Sequence, residues 1–446
     1  MSGSQREYRV APARQVRGRF AVPGDKSISH RAVMFGALAK GTTVVSGFLP
    51  GADTLATAQI LRNLGVTIER TSTTDLIIHG VGIGGLRPSA IPLDCGNAGT
   101  AMRLLAGLLA GQRFACTLIG DESLSRRPMR RIMDPLTRMG ARISSTEAGT
   151  APLRIEPVAT LNGIDYTCPV ASAQIKSCVL LAGLYAQGQT RVTEPAATRG
   201  YTESMLAAFG ADVAVDGLRI TLRPGRELQA QPVAVPGDFS SAAFFLVAGA
   251  IAPAGELIVE NVGLNPRRTG LLDTLLDMGA DIEILERREI AGEPVGDLRI
   301  RASSLRAVDV PIERVPDMID EFPAFAIAAA CARGVSTVRG AHELRVKESD
   351  RIAAMARGLT TLGVQVEEFE DGMAIEGMDA FGSGTIDSRG DHRIAMSFAV
   401  ASLRARGELR ILDCANVDTS FPGFVGLAGA AGLAIEAIDT QQEPSA

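Results

Sequence analysis

The strings of this chain that could do chemistry are rich in groups that bind anions. PGDKSISHR (Pro23 to Arg31) sets Lys26, Ser27 and Arg31 within two turns at a helix start, where unpaired backbone N–H groups and the helix dipole favour a negative ligand. DCGNAGTAMR (Asp94 to Arg103) is a second such start. Its Gly96 and Gly99 let a ligand approach the backbone, and Asn97 and Thr100 can cap or donate. GDESLSRRPM (Gly120 to Met129) sets Arg126 and Arg127 beside Pro128, and arginine forks suit phosphate or carboxylate. ASAQIKS (Ala171 to Ser177) offers Ser172, Gln174 and Lys176 at another helix start, with a solvated face as the alternative for Lys176. Only four of the 45 basic side chains are lysine, and Lys26, Lys176 and Lys347 all lie in dense polar strings. Lysine is a compact, tunable point charge where arginine is a fixed fork, so these positions point to bound phosphate or proton transfer.

The second half adds acids. VPDMIDEFPAFAIAAA places Asp317, Asp320 and Glu321 just before a very apolar helix; capping accounts for one of them, not for three. ELRVKESDRI gathers Arg345, Lys347, Glu348 and Arg351. If this stretch is helical, Lys347 and Arg351 share a face and repel unless an anion binds between them. RGDHRIAMS brings His392 and Arg393 to a helix start. HExxH, clustered histidines and Asp-rich loops are missing, so no metal is expected. Walker, GxSxG and Cys-His patterns are missing as well.

These strings need elements to hold them, and the chain supplies the elements by repetition. An apolar helical stretch, a glycine, a small apolar residue and then Ile or Val recur at Gly65, Gly140, Gly210, Gly279, Gly363 and Gly432, about 70 residues apart. Each copy reads as a helix ended by glycine and followed at once by a strand. VPGDKSISHRAVMFGALA from Val22 echoes VPGDFSSAAFFLVAGA from Val235. The second copy lacks both charges and reads as an ordinary capped helix. The halves thus form a duplicated domain of three units each. The expected domains are 23–236, and 1–22 with 237–446, the first strand pairing within the far half.

Composition bounds the rest. Hydrophobic residues make up 46% of 446, yet no run approaches the ~18 residues of a membrane span. The start has no apolar stretch of a secretory signal. Six scattered cysteines without a CxxC pair read as reduced thiols in a cytoplasm. A net charge of −5 without a basic stripe argues against nucleic acid. The polar tail DTQQEPSA is expected to fray.

Taken together, PGDKSISHR, GNAGTAMR, RRPM, SAQ, RVKESDR and DHRIAMS resemble the 5-enolpyruvylshikimate-3-phosphate (EPSP) synthase family, over about Arg17 to Phe424. The resemblance implies an α/β protein of two similar domains, each of three repeated β-α-β-α-β-β units, the inside-out α/β barrel of enolpyruvyl transferases. It implies transfer of the enolpyruvyl group of phosphoenolpyruvate to the 5-hydroxyl of shikimate 3-phosphate, with release of phosphate and closure of the two domains on these small molecules. No metal or organic cofactor is implied, and a cytoplasmic monomer is expected. Glyphosate, a longer analogue of phosphoenolpyruvate, is expected in the same subsite.

By this resemblance Lys26, Ser27 and Arg31 hold shikimate 3-phosphate, Lys26 also reaching phosphoenolpyruvate. Ser172, Ala173 and Gln174 hold the shikimate phosphate and ring. Gly99, Arg127, Lys347, Arg351 and Arg393 surround phosphoenolpyruvate, with Asn97 as a further binding candidate. Asp320 matches the acid that takes the hydroxyl proton, and Glu348 the acid that protonates the methylene carbon. Ala173 replaces a serine of many members and offers backbone only. Thr419 stands where some members carry a lysine. Three alternatives remain, one of them an RNA-end-processing relative of similar architecture, which the acidic, aromatic-poor composition disfavours. The sister transferase acting on UDP-N-acetylglucosamine carries a reactive cysteine in its closing loop, where SLSRRPM has none. A non-catalytic anion-binding repeat protein would not need Asp320 and Glu348.

Overall fold

The computed structural model describes residues 5–290 and 292–440, so most of the polar tail lies outside them. Asp439 and Thr440, its first two residues, do not fray: they close the strand Ala434–Thr440. The chain divides into two compact units. One is contiguous, Gly24–Val235; the other joins the stretch up to Pro23 to the stretch from Pro236. The buried apolar residues fall into two clusters that follow the same division.

Among the described residues the split unit is built from three small sheets, and the contiguous unit from three and a two-stranded parallel pair, Leu161–Asn162 with Ala186–Gln187. In the contiguous unit the second sheet runs Leu93–Asp94, Cys116–Ile119, Leu153–Glu156, Arg142–Ser144, with its first pair parallel and the others antiparallel. The third repeats this order with Asp165–Thr167, Thr190–Thr193, Arg219–Arg223 and Asp212–Asp216. The first does too, but borrows its opening strand, Val233–Ala234, from the end of the unit. In the split unit, Val16–Ala21 opens the sheet of Gly255–Gly263, Glu293–Arg301 and Asp281–Ile290. Gln5–Ala11 lies between Leu409–Leu412 and Ala434–Thr440 in the last sheet, antiparallel to both. The middle sheet has three strands, extended by a parallel bridge from Asp309 to Thr337.

Every copy contributes one buried helix and one outer helix. The buried ones are Lys26–Leu38, Gly99–Ala110 and Ala173–Gly183, and in the split unit Phe239–Ile251, Phe322–Ala330 and His392–Ala401. Their sequences are apolar nearly all round because they are packed all round. Gly107 lets the second and third approach: a methyl group there would stand 2.1 Å from the Cys178 carbonyl oxygen. The six repeat glycines all follow outer helices with φ between +87° and +108°, the left-handed turn that glycine adopts without penalty.

Candidate functional site

In the contiguous unit the chemistry sits at the starts of the buried helices. Asp25 caps Lys26–Leu38 by accepting from Ile28 N at 2.8 Å. Lys26 Nζ lies 3.1 Å from Asp53 Oδ2, at the start of the outer helix Ala52–Asn63. Arg31, one turn on, is buried. Its Nε donates to Thr202 Oγ1 at 2.7 Å, Nη1 to the Ser27 carbonyl at 2.9 Å, and Nη2 to Ser177 Oγ at 2.8 Å. These partners are neutral, and burial lowers the guanidinium pKa to about 10 against the opposing charge of Glu203. A buried cation held by hydroxyls is costly, and an anionic ligand would offset that cost. His30 beside it is fully buried, with Nδ1 2.8 Å from Thr57 Oγ1. Burial, and then the charges of Lys26 and Arg31, press its pKa well below the usual value, so it is neutral.

The second helix start collects arginines. Arg127 Nη2 donates to Asn97 Oδ1 at 2.6 Å and to Ser123 Oγ at 3.2 Å, while Asn97 Nδ2 donates to Asp121 Oδ2 at 2.8 Å. A methyl group on Gly99 would stand 3.1 Å from Arg103 Nη1 and 3.2 Å from Arg127 Nη1. Position 99 therefore faces two guanidinium tips. Arg103 Nη1 donates to Gln174 Oε1 at 2.7 Å, Arg131 Nη2 reaches the same oxygen at 3.5 Å, and Gln174 Nε2 donates to Thr100 Oγ1 at 3.2 Å. Gln174 thus ties the third helix start to the second. Ser172 precedes that helix in extended conformation without a side-chain capping bond, and Ala173 is its first residue. Arg126 points away and pairs with Glu122 on the surface. Lys176 lies on no solvated face: it is buried between Glu194 and Glu203.

In the split unit the centre is Asp320, in the turn between Val315–Met318 and Phe322–Ala330. Its Oδ1 lies 3.4 Å from Lys347 Nζ and 3.8 Å from Arg351 Nη1, and its Oδ2 lies 3.3 Å from Arg268 Nη1. Its carbonyl oxygen accepts from Arg393 Nη1 at 2.9 Å. Glu348 Oε2 accepts from Arg351 Nη2 at 2.6 Å. Arg351 is buried, and its Nε donates to Asp391 Oδ2 at 2.8 Å. Burial works against its charge, but Asp391, Glu348 and Asp320 outweigh it and hold the proton more tightly than usual. Asp391 also caps His392–Ala401 by accepting from Arg393 N at 3.0 Å, and accepts from Ser349 Oγ at 3.1 Å.

Lys347 and Arg351 do not share a helix face. A 3-10 turn, His342–Val346, ends at Lys347, whose backbone is extended, and the helix Arg351–Thr361 begins only after its cap, Asp350. Asp320 lies within ion-pair reach of both. The helix Phe239–Ile251 is also more than an ordinary capped helix. Arg268 Nη2 donates to its cap Asp238 at 3.0 Å and to Ser240 Oγ at 2.5 Å, and Ser240 donates to Glu321. Sequence reasoning missed Arg268, Asp391 and the role of Arg103. For Arg268 a signal existed: NPRRTG follows the second strand of its copy, as RRPM follows the second strand of another.

Among the described residues no group of three or more His, Cys, Asp or Glu could hold a metal ion, and no helix is long and apolar enough to cross a membrane. All six cysteines are free. Burial pushes the Cys168 thiol up to about 11 and those of Cys116, Cys331 and Cys414 up to about 12, which suits none of these four to act as a thiolate nucleophile.

The family model for EPSP synthase (3-phosphoshikimate 1-carboxyvinyltransferase) matches residues 10–427. A protein of Methylococcus capsulatus named 3-phosphoshikimate 1-carboxyvinyltransferase is 59% identical over 429 residues, covering 96% of this chain and 98% of the relative. One of the same name from Xanthomonas oryzae pv. oryzae is 57% identical over 440 residues, covering 99% and 100%. The solved EPSP synthase of Acinetobacter baumannii superposes with a TM-score of 0.88 at 49% identity, covering 98% of this chain and 100% of its own.

Proposed function

Because this chain belongs to the EPSP synthase family, we propose that it transfers the enolpyruvyl group of phosphoenolpyruvate to the 5-hydroxyl of shikimate 3-phosphate and releases phosphate. The observation that carries this reading is the cluster at Asp320, a carboxylate 3.3 to 3.8 Å from Arg268, Lys347 and Arg351. Cations neutralise a polyanionic substrate, and a carboxylate among them takes a proton from a hydroxyl brought to it.

Shikimate 3-phosphate is held by Lys26, Ser27 and Arg31 and by Ser172, the Ala173 backbone and Gln174. The neutral partners of Arg31 support this, since they leave its charge for a ligand. Phosphoenolpyruvate is held by Gly99, Asn97, Arg127, Lys347, Arg351 and Arg393, with Lys26 reaching it as well. Asp320 takes the 5-hydroxyl proton as that oxygen bonds to the substituted enol carbon, and protonated Glu348 gives its proton to the methylene carbon. The bond from the substituted carbon to the phosphate oxygen then breaks, and Asp320 can pass its proton to the departing phosphate. The new methyl group returns a proton to Glu348, now a carboxylate, and the enol ether is restored on its new alcohol. Two carboxyl groups in opposite protonation states suffice for this sequence. The thiols, all free, fit a reducing compartment, and we infer the cytoplasm.

Purified protein should release phosphate from phosphoenolpyruvate only with shikimate 3-phosphate present, and EDTA should leave the rate unchanged. Equal release without the acceptor, or loss of activity in EDTA, sinks the assignment. Gly99→Ala tests the phosphoenolpyruvate subsite. The added methyl crowds the far ends of two flexible side chains and meets Leu124 Cδ1 at an ordinary 3.6 Å, so the fold tolerates it while Arg103 and Arg127 shift. The longer inhibitor glyphosate should lose more than the substrate does. A pocket methyl is worth ~1–3 kcal/mol of discrimination, so the ratio of inhibition constant to KM should rise about tenfold. An unchanged ratio would remove Gly99 from that subsite.

A further inference from the structure

The contiguous unit buries a lysine that the chemistry above does not use. The Lys176 side chain is 1% exposed; its Nζ lies 2.8 Å from Glu194 Oε2 and 2.7 Å from Glu203 Oε1, and it donates to the Thr198 carbonyl at 3.5 Å. Thr198 donates its hydroxyl to the other oxygen of Glu194. The three charges come from different places: the buried helix Ala173–Gly183, the residue after the strand Thr190–Thr193, and the outer helix Tyr201–Ala208. Burying a lysine is costly, and only close opposite charges offset that cost.

The neighbours of this cluster belong to the proposed acceptor site. One residue beyond Lys176, Ser177 Oγ accepts from Arg31 Nη2 and lies 2.6 Å from Thr202 Oγ1, which accepts from Arg31 Nε. One turn before it lies Ser172–Gln174, and the Ser172 carbonyl accepts from Lys176 N at 3.2 Å. Glu203, next to Thr202, also acts on the charge of Arg31. The clamp therefore joins the turn that carries Ser172 to Gln174 with the arm that aims Arg31.

We propose that Lys176 is a positioning residue for the phosphate end of the acceptor substrate: by clamping Glu194 and Glu203 it sets the spacing between the Ser172–Gln174 turn and Arg31, without touching substrate. This rests on the function proposed above. In Lys176→Met the KM for shikimate 3-phosphate should rise about tenfold or more, while kcat and the KM for phosphoenolpyruvate change less than about threefold, because a misplaced binding group weakens its own substrate first. A second variant, K176M/E194Q/E203Q, leaves neither glutamate charge buried without its lysine. Its unfolding midpoint should return toward that of the unmodified protein while its KM for shikimate 3-phosphate stays raised. If the KM recovers along with the midpoint, Lys176 serves stability only and the proposal falls. It falls too if Lys176→Met lowers kcat at unchanged KM. The unmodified protein in the same assay separates the two readings. No phosphate release from it defeats the function itself, whereas normal release together with an unmoved KM in Lys176→Met defeats only the clamp.

Discussion

Asp320→Asn should lower kcat by about 100-fold or more, the scale on which an acid–base group acts, and should leave phosphoenolpyruvate binding unchanged or tighter. The sign of the second effect follows from the geometry. Asp320 stands within 3.8 Å of three cations, Arg268, Lys347 and Arg351. The amide removes one negative charge and leaves all three positive ones, so the cluster attracts a phosphate or carboxylate more strongly. A residue that merely held the cations in place would behave the other way, with a raised KM and little change in kcat. Steady-state kinetics with phosphoenolpyruvate varied at saturating shikimate 3-phosphate decide between them. A near-normal kcat would hand the proton transfer to another group. Glu348→Gln should show the same fall in kcat, with the chemistry lost at carbon rather than at oxygen.

Arg351→Met should cost about 3–5 kcal/mol of stability, the range for breaking a buried pair and leaving one charge behind. The charge left behind is Asp391, whose side chain is fully buried. Asp391 accepts from Arg351 Nε, from Ser349 Oγ and from the backbone of Arg393. Only the first of these is a cation, and hydrogen bonds from the other two do not cancel a full charge in a dry site. Urea unfolding read at its midpoint measures the loss. A change below about 1 kcal/mol, as for an exposed pair, would mean that Asp391 is neutralised by another partner.

Local rules reached a good part of this molecule from sequence. The six repeat glycines were legible because a left-handed residue after a helix is a local constraint that few side chains meet. Their positive φ values fall where the pattern put them. The caps Asp25 and Asp238 each accept from the backbone of the turn they precede, and that too is a short-range signal. Side-chain contacts between different elements were not legible. Nothing in NPRRTG says that Arg268 crosses to Asp320, 52 residues on. Nothing in ASAQIKS says that Lys176 turns inward, because Glu194 and Glu203 lie on other elements. The face shared by Lys347 and Arg351 failed for a local reason: an Asp cap at 350 starts the helix after Lys347, so helical spacing never applied to the pair.

The strand Gln5–Ala11 has a consequence for the order in which the chain matures. It leaves the ribosome long before both its partners, Leu409–Leu412 and Ala434–Thr440. At about 5–20 residues per second, its edges wait tens of seconds for pairing. Meanwhile residues 24–235, contiguous and with their own core, have everything they need to fold. Synthesis therefore completes the inserted unit first and the enclosing unit only when the final strand emerges. A nascent chain stalled before residue 409 carries one finished unit and a strand, Gln5–Ala11, without its partners, the kind of surface that chaperones bind and aggregation exploits.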